Sequence, residues 1–476
     1  MDSVGRLKLI SKSQWIPSTL FGKNYWIGAF SFLVLLGFTW FPNSYSLMVG
    51  WPYILLWQGA FLLLGGCTFT LCRQFLIPFT RIGYGLDTAI LLILFSTLLS
   101  TLAAPFKVVA LWNFLIVLNY AVVLYFLVNW LRSGEITRYF LWAIVSFSGI
   151  TTSIISLAMW RPSTDMWLSN NFYDAIRNAQ PLGHHNFVGG YALLVFPIVL
   201  GVALSQKGWQ RWGLFTASCI VALSIYVSGS RGALAGMLGL GIVSVFLGIL
   251  LSRKGNRRRW IISGIYFCLI MSLALLSNPR VRALFSVTPP VESGSISVVS
   301  VADGPTKDRI FMLESARNIL KEHPILGVGP GNLSRVYNNY RPLEAGTGAN
   351  IVQQLHNTPA QIAAEIGLLG FSAYATILCV MCRLGLILYK KKAESRDRIL
   401  LCTIAASWLG YSISCLSDYQ LENIGISITL LSTTALLVNL ADSTKLNTPH
   451  LSLSKRARRA ISMMLILFLC ANFQLW

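Results

Sequence analysis

The sequence predicts an all-α, polytopic integral membrane protein with about 12 to 13 transmembrane helices and one large external loop containing short helices. Three observations carry that reading. Of the 476 residues, 55% are hydrophobic and only 12% are charged, about half the charged share of an ordinary soluble domain. The apolar residues gather into runs of about 20, the length that crosses a bilayer as a helix. Lys and Arg, which give a formal net charge of +21, fall in short clusters between those runs. That is the pattern of membrane topology and not of nucleic-acid binding. The 15 Trp, 17 Tyr and 26 Phe suit a protein with two membrane–water boundaries to anchor.

The first 24 residues are polar and basic, and an apolar run follows from Tyr25 to Trp40. No small-residue cleavage site comes after it, so it reads as a first span and not as a removed signal peptide. Further spans centre near residues 56, 95, 119, 149, 195, 220, 241 and 268, which makes 1–277 an N-terminal transmembrane bundle of about nine spans. Residues 278–355 form the large external loop, within which Glu292–Gly304 reads as a mobile stretch. The C-terminal spans occupy 356–476, with centres near 378, 408, 431 and 467. With the N-terminus in the cytoplasm, 25 of the 38 Lys and Arg lie on the inside and four in the short outer loops. This bias orients the chain and puts the large loop outside. The nine cysteines sit in or beside apolar runs, so no disulfide framework or zinc site is indicated. Cys379 and Cys382 read as packing residues. No cofactor and no metal is expected.

Chemistry is concentrated at the outer face. Arg231 lies in the turn Val227–Gly236 between two spans, opposing the inside bias; Gly229 and Gly232 allow a tight turn and leave room for an anion. A snorkelling arginine is the plainer alternative. In the loop, Arg309 heads a helix-spaced apolar stripe with Leu313, Ala316 and Leu320, and a charge on a packing face calls for an anionic partner. The run from His323 to Asn332 holds three glycines that could turn backbone N–H groups towards a ligand. His356 then stands at a span boundary. On a continuous helix advancing about 100° per residue it shares a small-residue face with Ala360, Ala363, Gly367 and Gly370, whereas Glu365 points the opposite way. An imidazole at the water boundary is a feasible proton acceptor. Gly183–Asn186 opens another span, either lining a polar cavity or capping the helix through Asn186. Asp418 and Glu422, four apart, read as partners for basic residues of the loop or as a cation or acceptor site.

At these residues the chain resembles the O-antigen ligase and polysaccharide polymerase superfamily, including its cyanobacterial members. The resemblance rests on the S-R-G turn at Ser230–Gly232, on Arg309 upstream of Pro324–Asn332, and on an H-N pair, nine residues, then G-x-x-G from His356 to Gly370. It covers roughly 180–440, with Ser417–Leu421 as a further point of likeness. It implies a fold of the lipid-linked-donor glycosyltransferase type in the bacterial inner membrane, with the large loop periplasmic. It also implies inverting, metal-independent transfer of a glycan from an undecaprenyl-diphosphate donor to a lipid or glycan acceptor hydroxyl. Carried over by position, Arg231 and Arg309 would hold the diphosphate and His356 would activate the acceptor. Asn186, Arg335, Arg341 and Asn357 are further candidates for substrate contact. The implied partners are the lipid-linked donor, the acceptor and membrane lipids, with no nucleic acid. A chain polymerase would use the same motifs. A transporter related to bicarbonate carriers is the competing class, but it would be expected to show repeated halves and ionisable groups near the membrane midplane.

Overall fold

Helices make up most of the structure, and no strand occurs among the described residues. A computed structural model describes residues 26–40, 59–60, 64–68, 81–132, 135–162, 176–251, 254–278, 281, 305–345, 352–391, 395–444 and 454–474. Helix α1 (Trp26–Gly37) runs into a short 3-10 turn, Phe38–Trp40. It is followed by α2 (Leu86–Ala103), α3 (Lys107–Leu131), α4 (Glu135–Met159) and α5 (His185–Ser205). Next come α6 (Gly208–Ser228), α7 (Arg231–Leu251) and α8 (Lys254–Ser277). The large loop contributes α9 (Pro305–Glu322) and α10 (Leu333–Tyr340). The chain returns through α11 (Thr358–Lys390), α12 (Ser395–Ser414), α13 (Ile424–Ser443) and α14 (Lys455–Gln474). Twelve of the thirteen expected span centres fall within these helices. The other, near residue 56, lies outside the described residues, as does the predicted mobile stretch Glu292–Gly304.

Eight helices among the described residues are long and apolar enough to cross a membrane, namely α2 to α6, α8, α11 and α13. Shorter apolar stretches lie at Gly28–Trp40, Arg231–Leu247 and Arg459–Phe468. This is a multi-pass membrane protein. Its two central helices are α13, whose apolar window is 94% buried, and α5, at 78%. Helix α8 is only 11% buried and turns Ile265, Tyr266, Ile270, Leu273 and Leu276 outward, a surface suited to lipid tails. Helix α5 packs against α4, α6, α7, α12 and α13, and α11 lies along α2. Close crossings rest on small residues: a Cβ at Gly236 would stand 2.6 Å from the carbonyl oxygen of Gly410.

Polar groups inside such a bundle have no water to turn to. Thr97, Thr101, Ser146, Thr152, Thr429, Ser432 and Thr434 therefore return their hydroxyls to the carbonyl one turn back. At the end of the bundle away from α9 and α10, two ion pairs hold the helices together. Arg132 meets Asp442 at 2.8 Å, and Asp442 also accepts the Tyr84 hydroxyl. Arg138, nearly buried, meets Asp397 at 3.0 Å and donates Nε to the Asn439 side chain at 2.6 Å.

The loop helix α9 differs in detail from its predicted stripe. Its buried face is Phe311, Ser315, Ala316 and Ile319, whereas Leu313 is 43% exposed. Because α9 rests on α11 and α10, the docking partner rather than the apolar residues alone decides which side turns inward.

Candidate functional site

The small-residue face expected on one continuous helix does not form. Helix α11 starts only at Thr358, capped by Asn357, whose Oδ1 accepts the Ala360 N–H at 2.9 Å. His356 precedes the cap at φ 49, a left-handed conformation uncommon outside glycine. Further along, Gly367 breaks the helix at φ 68, ψ −173. The break frees the carbonyls of Ala364 and Glu365, which accept N–H bonds from Val328 at 3.0 Å and Gly329 at 2.8 Å. In return, Leu368 N–H donates to Pro324 and Leu369 N–H to Ile325. A Cβ at Gly367 would collide with the Ile325 carbonyl, so the glycine is what admits the loop.

The glycine-rich turn is thus plugged into a kink in α11. Sequence reasoning left its N–H groups available for a ligand, but they are already engaged. Val328 and Gly329 bond the backbone of α11, and Gly331 and Leu333 face the buried Glu365 side chain. Buried backbone donors in an irregular segment must find acceptors, and here the carbonyls freed by the helix kink supply them.

His356 is held from both sides. Its Nδ1 lies 2.7 Å from Asp418 Oδ1, and the Asp418 side chain is only 1% exposed. Gln420 Nε2 donates to Asp418 Oδ2 at 3.0 Å and to the Asn186 carbonyl at 2.8 Å. The start of α11 is tied to the same segment. Thr358 N–H bonds the Cys415 carbonyl, Thr358 Oγ1 bonds the Asp418 carbonyl, and Asn357 Nδ2 bonds the Leu416 carbonyl, each at 2.8 Å. A carboxylate at Nδ1 favours the tautomer with its proton on Nδ1 and a lone pair on Nε2. His184 lies beside this imidazole, ring centroids 6.4 Å apart.

Arg231 opens α7 two positions after Gly229, which closes α6 at φ 62. Gly232 sits against Ser414 and Ser417, and Gly189 of α5 against Ser228 and Ser230, so the S-R-G turn is pressed onto the segment that carries Asp418. Arg309, in the first turn of α9, is pushed below the usual guanidinium range by burial. The Asp418 carboxylate counters that shift, and Arg231 adds to it. Arg309 is therefore within electrostatic reach of both groups. Among the described residues neither Arg231 nor Arg309 forms an ion pair with a carboxylate. Two guanidinium groups beside an Asp-oriented imidazole can hold a multiply charged anion and accept a proton next to it.

The other predicted residues are placed differently. Asn186 is buried beside the site, but the cap of α5 is His184, whose Nδ1 accepts the Asn186 N–H at 3.3 Å; the expected cap by Asn186 is replaced by one from its neighbour. Asn357 directly follows His356, and its side chain is engaged in the cap and with the Leu416 carbonyl. Arg335 stacks over the Phe106 ring, 5.5 Å from its centroid. Arg341 closes α10 through its N–H to Tyr337. The Asp418–Gln420 support and the Gln361–Glu365 pair were not foreseen. The only sequence signals were an acid in the Ser417–Leu421 run and the pair Asp418 and Glu422.

Residues 215–375 match the family model described as O-Antigen ligase. The chain carries an O-antigen ligase domain. The match supports the O-antigen ligase superfamily and a membrane function of the ligase or polymerase type. The matched span contains Arg231, Arg309, His356 and Gly367; Asp418 lies beyond it. No curated protein matches the chain.

Proposed function

We propose that this protein is an inverting, metal-independent glycosyltransferase of the periplasmic face of the bacterial inner membrane. It moves a glycan from undecaprenyl diphosphate to a hydroxyl of a lipid or glycan acceptor. The acceptor O–H gives its proton to His356 Nε2 while its oxygen attacks the anomeric carbon from the side opposite the diphosphate. The bond from that carbon to the phosphate oxygen breaks, and the electron pair leaves with the diphosphate. Arg231 and Arg309 stabilise the charge that develops there, as guanidinium forks do. Diphosphate is already a good leaving group, so one base suffices. Arg335, Arg341, Asn186 and Asn357 would contribute secondary contacts to the donor or acceptor.

The observation that supports this reading most strongly is the buried carboxylate of Asp418 against Nδ1 of His356, in a site also reached by two guanidinium groups that form no ion pair with a carboxylate among the described residues. A glycan carrier without catalysis would need the arginines but no oriented base. The test is transfer in membranes supplied with a polyprenyl-diphosphate-linked glycan. His356→Ala should insert normally and lose transfer. Full transfer by that variant would refute the catalytic role, and solute uptake that tracks expression in vesicles would favour a transporter instead. The lipid-linked glycan that accumulates in a null strain separates the two acceptor classes: long chains point to a ligase, single repeat units to a polymerase.

A further inference from the structure

A continuous line of hydrogen bonds joins the residue before His356 to the loop that carries Arg309. Leu355 N–H donates to Gln361 Oε1 at 2.8 Å, and Gln361 Nε2 donates to Glu365 Oε1 at 2.9 Å. The Glu365 backbone carbonyl in turn accepts the Gly329 N–H at 2.8 Å, and the Glu365 side chain faces the Gly331 and Leu333 N–H groups. Both side chains are buried, Gln361 at 1% exposure and Glu365 at 7%. An amide side chain can accept from an N–H through its oxygen and donate to a carboxyl oxygen through its NH2 group, which is what this place requires of Gln361.

We propose that Gln361 and Glu365 are positioning residues that couple the placement of the His356 base to the docking of the Arg309 loop. The inference rests on the transfer reading given above. Neither residue reaches the imidazole; they act through the backbone. His356 has a left-handed φ of 49 and persists there because its surroundings over-determine it. One restraint is the bond from Leu355 to Gln361. The other end of the relay, at Gly331 and Leu333, closes the turn that starts where α9 ends. When the loop seats, Glu365 is fixed, Gln361 is fixed against it, and the peptide before the base is held in place. A loop that lifts would release the base as well, so the base would be set only when the arginine loop is docked.

The test uses the full chain in nanodiscs with Gln361→Leu, Glu365→Gln and the double variant. It measures turnover and donor KM with a polyprenyl-diphosphate-linked glycan, together with amide hydrogen exchange. Each single variant should lower kcat by about 100-fold, the scale of a misplacement of about 1 Å, with donor KM changed only a few-fold. The double variant should fall no further than the worse single one. In Gln361→Leu, exchange should speed up at Leu355 and also at Gly331 and Leu333, which a local structural role would leave protected. Unchanged kcat, additive losses, or exchange confined to the segment around Leu355 would each overturn the proposal. Glu365→Gln keeps an acceptor oxygen for the turn but faces a donor towards Gln361, so it decides the matter if Leu at position 361 prevents insertion. His356→Ala is run alongside. If it transfers glycan at the wild-type rate, the functional reading fails; if it is inactive while the relay variants are not, only the coupling fails.

Discussion

Replacing Asp418 by Asn should disable the base while leaving the fold almost untouched, and Gln420 explains why. Gln420 Nε2 donates to Asp418 Oδ2 at 3.0 Å and is anchored by its second bond to the Asn186 carbonyl. In the variant, the new amide must keep its oxygen towards Gln420, because two donors cannot face each other. Its NH2 group is then turned towards His356 Nδ1. That nitrogen becomes the acceptor, the ring proton moves to Nε2, and the lone pair that should take the acceptor proton is gone. General-base catalysis is worth about 10²–10⁴ in rate, so kcat should fall by that factor, about 3–5 kcal/mol in the barrier. The change also removes a negative charge close to Arg309, so donor KM should stay the same or fall. Transfer rates in nanodiscs over a range of donor concentrations, with thermal unfolding as a control on the fold, give both quantities. A folded Asp418→Asn variant with undiminished kcat would refute the role given to the pair.

Three further outcomes follow from the same geometry. Arg231→Lys and Arg309→Lys should each lower kcat/KM by about 10- to 100-fold, since an ammonium cannot reproduce the bidentate fork; wild-type kinetics in either would remove that arginine from the donor site. Gly367→Ala places a Cβ against the Ile325 carbonyl at a φ, ψ combination that is essentially confined to glycine. It should undock the loop at a cost of about 2–4 kcal/mol, seen as faster proteolysis within 305–345 and loss of transfer despite normal insertion. Asp397→Ala leaves Arg138 buried without its carboxylate, which should lower stability by about 3 kcal/mol in thermal unfolding while kcat per folded molecule stays unchanged.

Much of the bundle was legible in the sequence because hydropathy and length alone define a span: helices occupy the expected centres from α1 to α14, apart from the one near residue 56 outside the described residues. The residues given chemical roles, Arg231, Arg309 and His356, stand out because charge or imidazole at an outer span end is unusual, and the structure brings them to one end of the bundle. What stayed hidden depends on partners far apart in the chain. Asp418 lies 62 positions from His356, and no periodicity links them. Residue spacing assumes an unbroken backbone and so predicts helix through Gly367, while the cause of the break is the loop turn that packs into it. Helical spacing turns Glu365 away from His356, and that direction is what lets it face the loop turn, whose Gly329 N–H bonds the Glu365 carbonyl. Leu313 was placed on the buried side of α9 by its spacing, but the surface α9 rests on selects Phe311 and Ile319 instead.

The central claim is that two guanidinium groups and one oriented imidazole serve a single donor. It is tested most directly by determining the structure of the protein with an undecaprenyl-diphosphate glycan bound. The account predicts diphosphate oxygens about 2.7–2.9 Å from the guanidinium nitrogens of both Arg231 and Arg309, with Nε2 of His356 facing the side of the anomeric carbon opposite the phosphate. A diphosphate bound away from both arginines, or an anomeric carbon that His356 cannot approach through an intervening hydroxyl, would contradict it.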